Sequence, residues 1–110
     1  MAYDEDLDDR IRVALQDEPA VTERRIFGGL AFMVHGRLAV CAINDGALMV
    51  RVDPATSRSL VHEPEVRQFE MDGRELDGWL EVGAEAVAED DALGAWVGRG
   101  VSYARSLPPN

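Results

Sequence analysis

Residues 30–53 read LAFMVHGRLAVCAINDGALMVRVD. Three short apolar runs alternate along this stretch. Leu30, Phe32 and Val34 alternate with Ala31 and Met33. Leu38, Val40 and Ala42 alternate with Ala39, Cys41 and Ile43, and Leu48, Val50 and Val52 with Met49, Arg51 and Asp53. A period of two is the strand period, because successive side chains leave opposite faces of an extended backbone. His35-Gly36 and Asn44-Asp45-Gly46 separate the runs, and an Asp-Gly pair is a strong hairpin signal. The stretch therefore predicts a three-stranded antiparallel meander.

On the amino-terminal side, residues 4–18 predict a helix. Leu7, Ile11, Ala14 and Leu15 recur at helical spacing, Asp4 is placed to cap the helix, Glu5 and Asp6 suit its positive end, and Pro19 stops it. On the other side, Asp53-Pro54 starts a short helix carrying Leu60 and Val61, which ends before Pro64. A strand over 66–71 then turns at Asp72-Gly73 toward a second strand around Trp79–Val82. A last helix covers about 90–106, with Leu93, Trp96, Val97, Val101 and Ala104 on one stripe. Gly94, Gly98 and Gly100 each weaken that helix by up to ~1 kcal/mol relative to alanine. Either tertiary packing holds it, or the small residues let another element come close. The expected order is α-β-β-β-α-β-β-α, an α+β, two-layer fold with an antiparallel sheet, in one domain over residues 1–110.

The chain has 110 residues, enough for one core without staples, and 46 % of them are hydrophobic. Its net charge is −10, from 21 acidic residues against 11 arginines and no lysine. Such a surface repels phosphate, which argues against direct nucleic-acid binding. Cys41 is the only cysteine, so no intrachain disulfide forms, and its apolar run predicts a buried, inert thiol. The start, MAYDEDLDD, is acidic and lacks the apolar region of a signal peptide. No apolar stretch approaches the ~20 residues of a membrane span. The expectation is a cytoplasmic protein with no membrane partner.

Catalytic and ligand motifs are sparse. A phosphate loop needs GxGxxG or GxxxxGK[ST] in a strand-to-helix turn, and neither occurs. A structural zinc site needs about four Cys or His ligands; the chain offers Cys41, His35 and His62, with both histidines placed for solvent. Gly100-Val-Ser102-Tyr-Ala104 misses the GxSxG nucleophile pattern by one residue and falls inside a helix. No catalytic residue, cofactor site or metal site is expected. What remains is RRIFGG at residues 24–29, with Arg51 and Asp53 further along. Ile26 and Phe27 suit a core anchor, and Gly28-Gly29 a bend or close backbone approach. The arginines leave two readings open: an ion pair that braces the loop, or a pocket in which Arg24, Arg25, Arg51 and the Gly28-Gly29 backbone meet an anion.

Taken together, Arg25-Ile26-Phe27-Gly28-Gly29-Leu30-Ala31-Phe32, Gly36-Arg37-Leu38-Ala39 and Leu48-Met49-Val50-Arg51-Val52-Asp53 resemble the TfoX/Sxy amino-terminal domain. Leu93, Trp96 and Val97 fit the later helix of that family, and the resemblance covers about residues 5–106. Ile26 stands where the family usually has methionine, Met49 where it has an aromatic residue, and Pro64-Glu65 where it has a proline-aromatic pair. The resemblance implies a secretion-chaperone-like α+β fold, frequent homodimers, and members that regulate natural competence with a second, helical domain. This chain ends at Asn110 without that domain, so a stand-alone module is expected. The residues singled out are Arg24, Arg25, Phe27, Gly28, Gly29, Arg51 and Asp53. The functional expectation is a non-catalytic regulatory module whose partner is another protein or itself. A small-anion or metabolite binder is the alternative, with an enzyme behind it. Function rests on sites rather than folds, so the competence role carries over only loosely.

Overall fold

The computed structural model describes residues 5–26 and 29–108. Helix α1 (Glu5–Ala14) is followed by strands β1 (Val21–Ile26), β2 (Gly29–Val34), β3 (Arg37–Ala42) and β4 (Leu48–Arg51). Helix α2 (Pro54–Leu60), strands β5 (Val66–Met71) and β6 (Arg74–Val82), and helix α3 (Asp90–Ser106) complete the chain. Among the described residues the strands form one six-stranded antiparallel sheet in the order β1-β2-β3-β4-β6-β5. The fold is α+β, with the helices packed against the sheet.

The expected order lacked one strand. Four strands, not three, precede α2, giving α-β-β-β-β-α-β-β-α. The missing one, VTERRI, is an edge strand whose four central residues are exposed. Charged, solvated edge strands resist pairing with other chains and carry no apolar alternation to read. The other elements follow the sequence closely. Strand β5 and helix α3 have the expected bounds, and β6 begins at Arg74 because residues 74–76 continue the ladder with 69–71. Helix α1 is shorter than residues 4–18: Leu7, Ile11 and Leu15 are buried as expected, while Ala14 is exposed. Asp4 lies outside the described residues.

The turns follow local chemistry. His35 (φ 52°) and Gly36 (φ 81°) close β2–β3, and Asp72 (φ 55°) and Gly73 (φ 77°) close β5–β6. Paired positive φ values match the right-handed twist of the flanking strands. Strand β3 carries a bulge: Phe32 pairs with Val40 but Met33 with Leu38, which leaves Ala39 extra. The bulge places Ala39 and Val40 in the same core while Leu38 joins the opposite face. Helix α3 crosses at this bulge. A Cβ on Gly100 would sit 2.4 Å from the Ala39 carbonyl oxygen, so only glycine permits the contact.

All three helices lie on one side. The main core joins Leu7 and Ile11 of α1, Leu93, Trp96 and Val97 of α3, and Phe32, Val40, Val50 and Leu80 of the sheet. Residues 80 apart tie the first and last helices together. Arg10 Nε donates to Asp90 at 3.0 Å, and Arg10 Nη2 donates to the Val87 and Ala88 carbonyls just before α3. The other side of the sheet has its own apolar cluster, in which Ala31, Cys41 and Met49 are fully buried among Leu38, Ile43 and Ala47. Ile26, Met33, Phe69 and Trp79 form its half-buried rim, and no helix contributes to it. No helix among the described residues is long and apolar enough to cross a membrane.

Candidate functional site

The residues singled out by sequence fall in two places. Arg24 and Arg25 are exposed on β1 and point to opposite sides: Arg24 is paired with Ala31 of the helix-free face, Arg25 with Leu30 of the helix-covered face. Gly29 is buried at the start of β2, where a Cβ would come 1.8 Å from the Ala42 carbonyl oxygen. It serves close backbone approach, one of the two uses the sequence suggested. Phe27 and Gly28 lie outside the described residues. Arg51 and Asp53 sit at the far end of β4. Strands β2 and β3 separate β4 from β1, a distance of about 14 Å across three strand spacings. The geometry does not bring Arg24 and Arg25 together with Arg51 and Asp53 as one pocket.

Asp53 caps α2: its carboxylate accepts the Ala55 N–H at 2.9 Å, and Pro54 follows at the first helical position. This sets the angle at which the chain leaves β4. Arg51 makes no ion pair among the described residues. Its guanidinium lies over the Trp79 ring at 4.9 Å and over the Tyr103 ring at 5.6 Å. Trp79 belongs to β6 and Tyr103 to α3, so one arginine joins three elements. Tyr103 in turn lines a groove of about 640 Å³ between α2 and the outer face of α3, together with Asp53, Thr56, Arg99 and Ser102. Arg99 lies 4.4 Å from the Trp96 ring centroid, also without a carboxylate partner among the described residues.

A buried polar knot underlies this end of the sheet. Ser57 Oγ donates to the Pro54 carbonyl at 2.7 Å and accepts from the Gly78 N–H at 3.1 Å and Gln68 Nε2 at 3.2 Å. Gly78 (φ 86°) sits in an irregular stretch of β6, and its carbonyl accepts the Val52 N–H at 2.8 Å. Ser57 thus fastens α2 to β5 and β6 behind Arg51 and Asp53.

The chain matches the TfoX N-terminal domain over residues 14–104. It belongs to that family. No curated protein and no solved structure matches it significantly. In this TfoX N-terminal domain the recognisable positions make identifiable contacts: Gly29 lets β2 and β3 approach, Arg51 bridges β6 and α3, and Asp53 starts α2.

The charged groups near the other end of the domain form a separate set. Arg12 donates to both carboxylate oxygens of Glu23, at 2.8 and 2.9 Å, and to Asp9 at 2.7 Å. The bond from Arg12 holds the Glu23 carboxyl below its ordinary value. Asp8 is buried, with Oδ1 lacking a hydrogen bond. Burial raises its pKa, against the pull of Arg12 and Arg25. The Cys41 thiol is buried on the helix-free face and is pushed up to about 12, mainly by desolvation. No group of three His, Cys, Asp or Glu among the described residues is arranged to hold a metal. His35 and His62 are both exposed.

Arg99, Tyr103 and Thr56 are the groove residues that sequence reasoning passed over. The signal for the first two was the outward face of α3, left over once Trp96, Val97, Gly100 and Val101 are turned inward. Nothing in the sequence pairs that face with Arg51, because the approach depends on where α3 crosses the sheet.

Proposed function

We propose that this TfoX N-terminal domain is a non-catalytic regulatory module that acts by binding protein through the helix-free face of its sheet, with a second copy of the chain as occupant. Regulation of transcription or competence is the setting the family resemblance suggests. One observation carries the reading. Antiparallel sheets with one uncovered face usually alternate apolar-in and polar-out, yet β2, β3 and β4 are apolar on both sides. Met33, Phe69 and Trp79 rim the uncovered cluster. The centre of this cluster is already buried, so what the face offers a partner is its half-buried apolar rim. The positions shared with the family serve strand approach, capping and stacking, which fits a module whose surface, rather than a reaction centre, does the work.

Sedimentation equilibrium tests the self-association. The expected result is a dimer mass for the wild type and a monomer mass for Met33→Glu with an unchanged circular dichroism spectrum. A wild type that stays monomeric up to about 0.2 mM, a concentration at which any dimer of Kd below ~0.1 mM would be well populated, overturns the proposal of a second copy on this face.

A further inference from the structure

We propose that two copies of the chain pack sheet to sheet about a two-fold axis that runs parallel to the strands, over the gap between β3 and β4, so that Arg24 of each copy pairs with Glu81 of the other. The pairing rests on the proposed self-association through the helix-free face and adds how the two copies are oriented and which residues select that orientation.

Charge is distributed unevenly between the two sides of the sheet. The chain has 21 acidic residues and 11 arginines, yet the helix-free side of the strands reverses that balance. Arg24, Arg51, Arg67 and Arg74 lie there, paired with Ala31, Trp79, Glu81 and Met71. Glu81 is the one strand carboxylate on that side among the described residues. Glu23 and Asp77 are engaged by Arg12 of α1 and Arg58 of α2, and Glu70, paired with Glu75, alternates with Phe69. Two like faces set together therefore have a single kind of attractive ion pair to make, from an arginine of one copy to Glu81 of the other. An orientation that misses it sets arginine against arginine.

The register of the sheet places the two ends of that pair. The ladders join Arg24 to Ala31, Ala31 to Cys41, Cys41 to Met49, Met49 to Glu81 and Glu81 to Arg67. One continuous row thus crosses all six strands, with Arg24 on the β1 edge, three fully buried apolar residues in the middle and Glu81 toward the β5 edge. A two-fold axis parallel to the strands lays this row on its own copy with the ends exchanged, the self-complementarity an isologous contact needs. Strand β1 then faces β5 of the second copy, and β2 faces β6. Arg24 comes within about one strand spacing, ~5 Å sideways, of Glu81 in the second copy, a reach that an arginine side chain spans. Arg24 makes no ion pair among the described residues, and Arg67 takes only one oxygen of Glu81. An axis across the strands would instead set Arg24 against Arg24.

The apolar rim obeys the same operator. Met33 lies two residues beyond Ala31 on β2, and Trp79 two residues from Glu81 on β6, both toward the same end of the sheet. Strands β2 and β6 flank the central β3–β4 pair symmetrically. The axis that joins Arg24 to Glu81 therefore also brings Met33 of each copy onto Trp79 of the other, a favourable sulfur–aromatic contact. Arg51 stands near the axis but is drawn toward Trp79 and Tyr103, on the side away from β3, which keeps the two Arg51 groups apart.

Charge exchange tests the orientation, with the dimer Kd read by sedimentation equilibrium. Arg24→Glu, an exposed position, is expected to weaken the dimer at least about tenfold. Arg99→Glu changes the net charge equally on the opposite side of the molecule and is expected to have a much smaller effect. Arg24→Glu combined with Glu81→Arg is expected to recover the wild-type Kd to within about threefold. Arg24→Ala and Glu81→Gln, which bring in no new charge, form a second cycle and are expected to be less than additive. A wild type that stays monomeric overturns the self-association and this orientation together. A wild-type dimer that Arg24→Glu weakens no more than Arg99→Glu does overturns the orientation alone. So does a charge-exchanged double variant no tighter than Arg24→Glu together with an additive second cycle.

Discussion

Three glycines share α3 and have different reasons to be there. A Cβ on Gly94 or Gly98 meets nothing within 4 Å, whereas on Gly100 it meets the Ala39 carbonyl oxygen at 2.4 Å and a Val40 methyl at 2.9 Å. Helix propensity therefore governs the first two and packing the third. Gly94→Ala and Gly98→Ala are each expected to stabilise by about 0.5–1 kcal/mol. Gly100→Ala is expected to destabilise by about 1–3 kcal/mol, because the helix must lift from the β3 bulge. Urea unfolding curves on the three single variants check both signs. The sequence shows three helix-weakening residues at once but not which one touches β3, since that depends on a bulge two elements away.

At the scale of elements, the sequence was readable wherever an element buries one face. Strands β2, β3 and β4, the turns at His35-Gly36 and Asp72-Gly73, and the bounds of β5 and α3 follow from alternation, turn residues and the i, i+4 stripe. Strand β1 was not readable, because its Thr22, Glu23, Arg24 and Arg25 are exposed and carry no apolar alternation. The candidate site was legible by half: Arg51 and Asp53 stand out, but their companions Arg99 and Tyr103 come from a helix 50 residues further on. Ser57 was not legible at all, because a serine in a polar run gives no hint of burial. Its hydroxyl is the joint between α2 and the β5–β6 pair. Ser57→Ala strands the buried Gly78 N–H and is expected to cost about 1–3 kcal/mol in thermal or urea unfolding. Hydrogen exchange at Gly78 and Val52 should accelerate in step.

For the molecule as a whole, the response to pH combines two carboxyls that move in opposite senses near α1. Glu23, held low by Arg12, contributes stability that is present above its unfolded pKa and lost as the pH falls through its folded value. Asp8 does the reverse. Its folded pKa is raised by burial, so the native state binds that proton more tightly than the unfolded chain does. The associated stability is present below the ordinary carboxylate range and is lost as the pH rises through the folded value. Around it stand Asp9 and Arg12 of α1 and Glu23 and Arg25 of β1. Asp8→Asn is therefore expected to be more stable than wild type at pH 7, with the gap closing as the pH falls through the raised folded value toward the ordinary Asp value of about 4. Denaturant midpoints for both proteins from pH 3 to 8 (a span that brackets ordinary carboxyl titration) would show it. A gap that stays constant across the series would mean that Asp8 has the same pKa in the folded and the unfolded chain.

The Arg10 bridge from α1 to Asp90 and the carbonyls before α3 has a consequence for how the chain is made. During synthesis the ribosome releases α1 first and α3 last, at roughly 5–20 residues per second. Until the final helix emerges, Leu7 and Ile11 lack the α3 side chains that pack with them, and the main-core face of the nascent sheet lacks Leu93, Trp96 and Val97. The domain closes only when its last segment arrives. That interval, rather than the finished structure, is when the chain is most open to chaperones and to pairing with its neighbours on the same message.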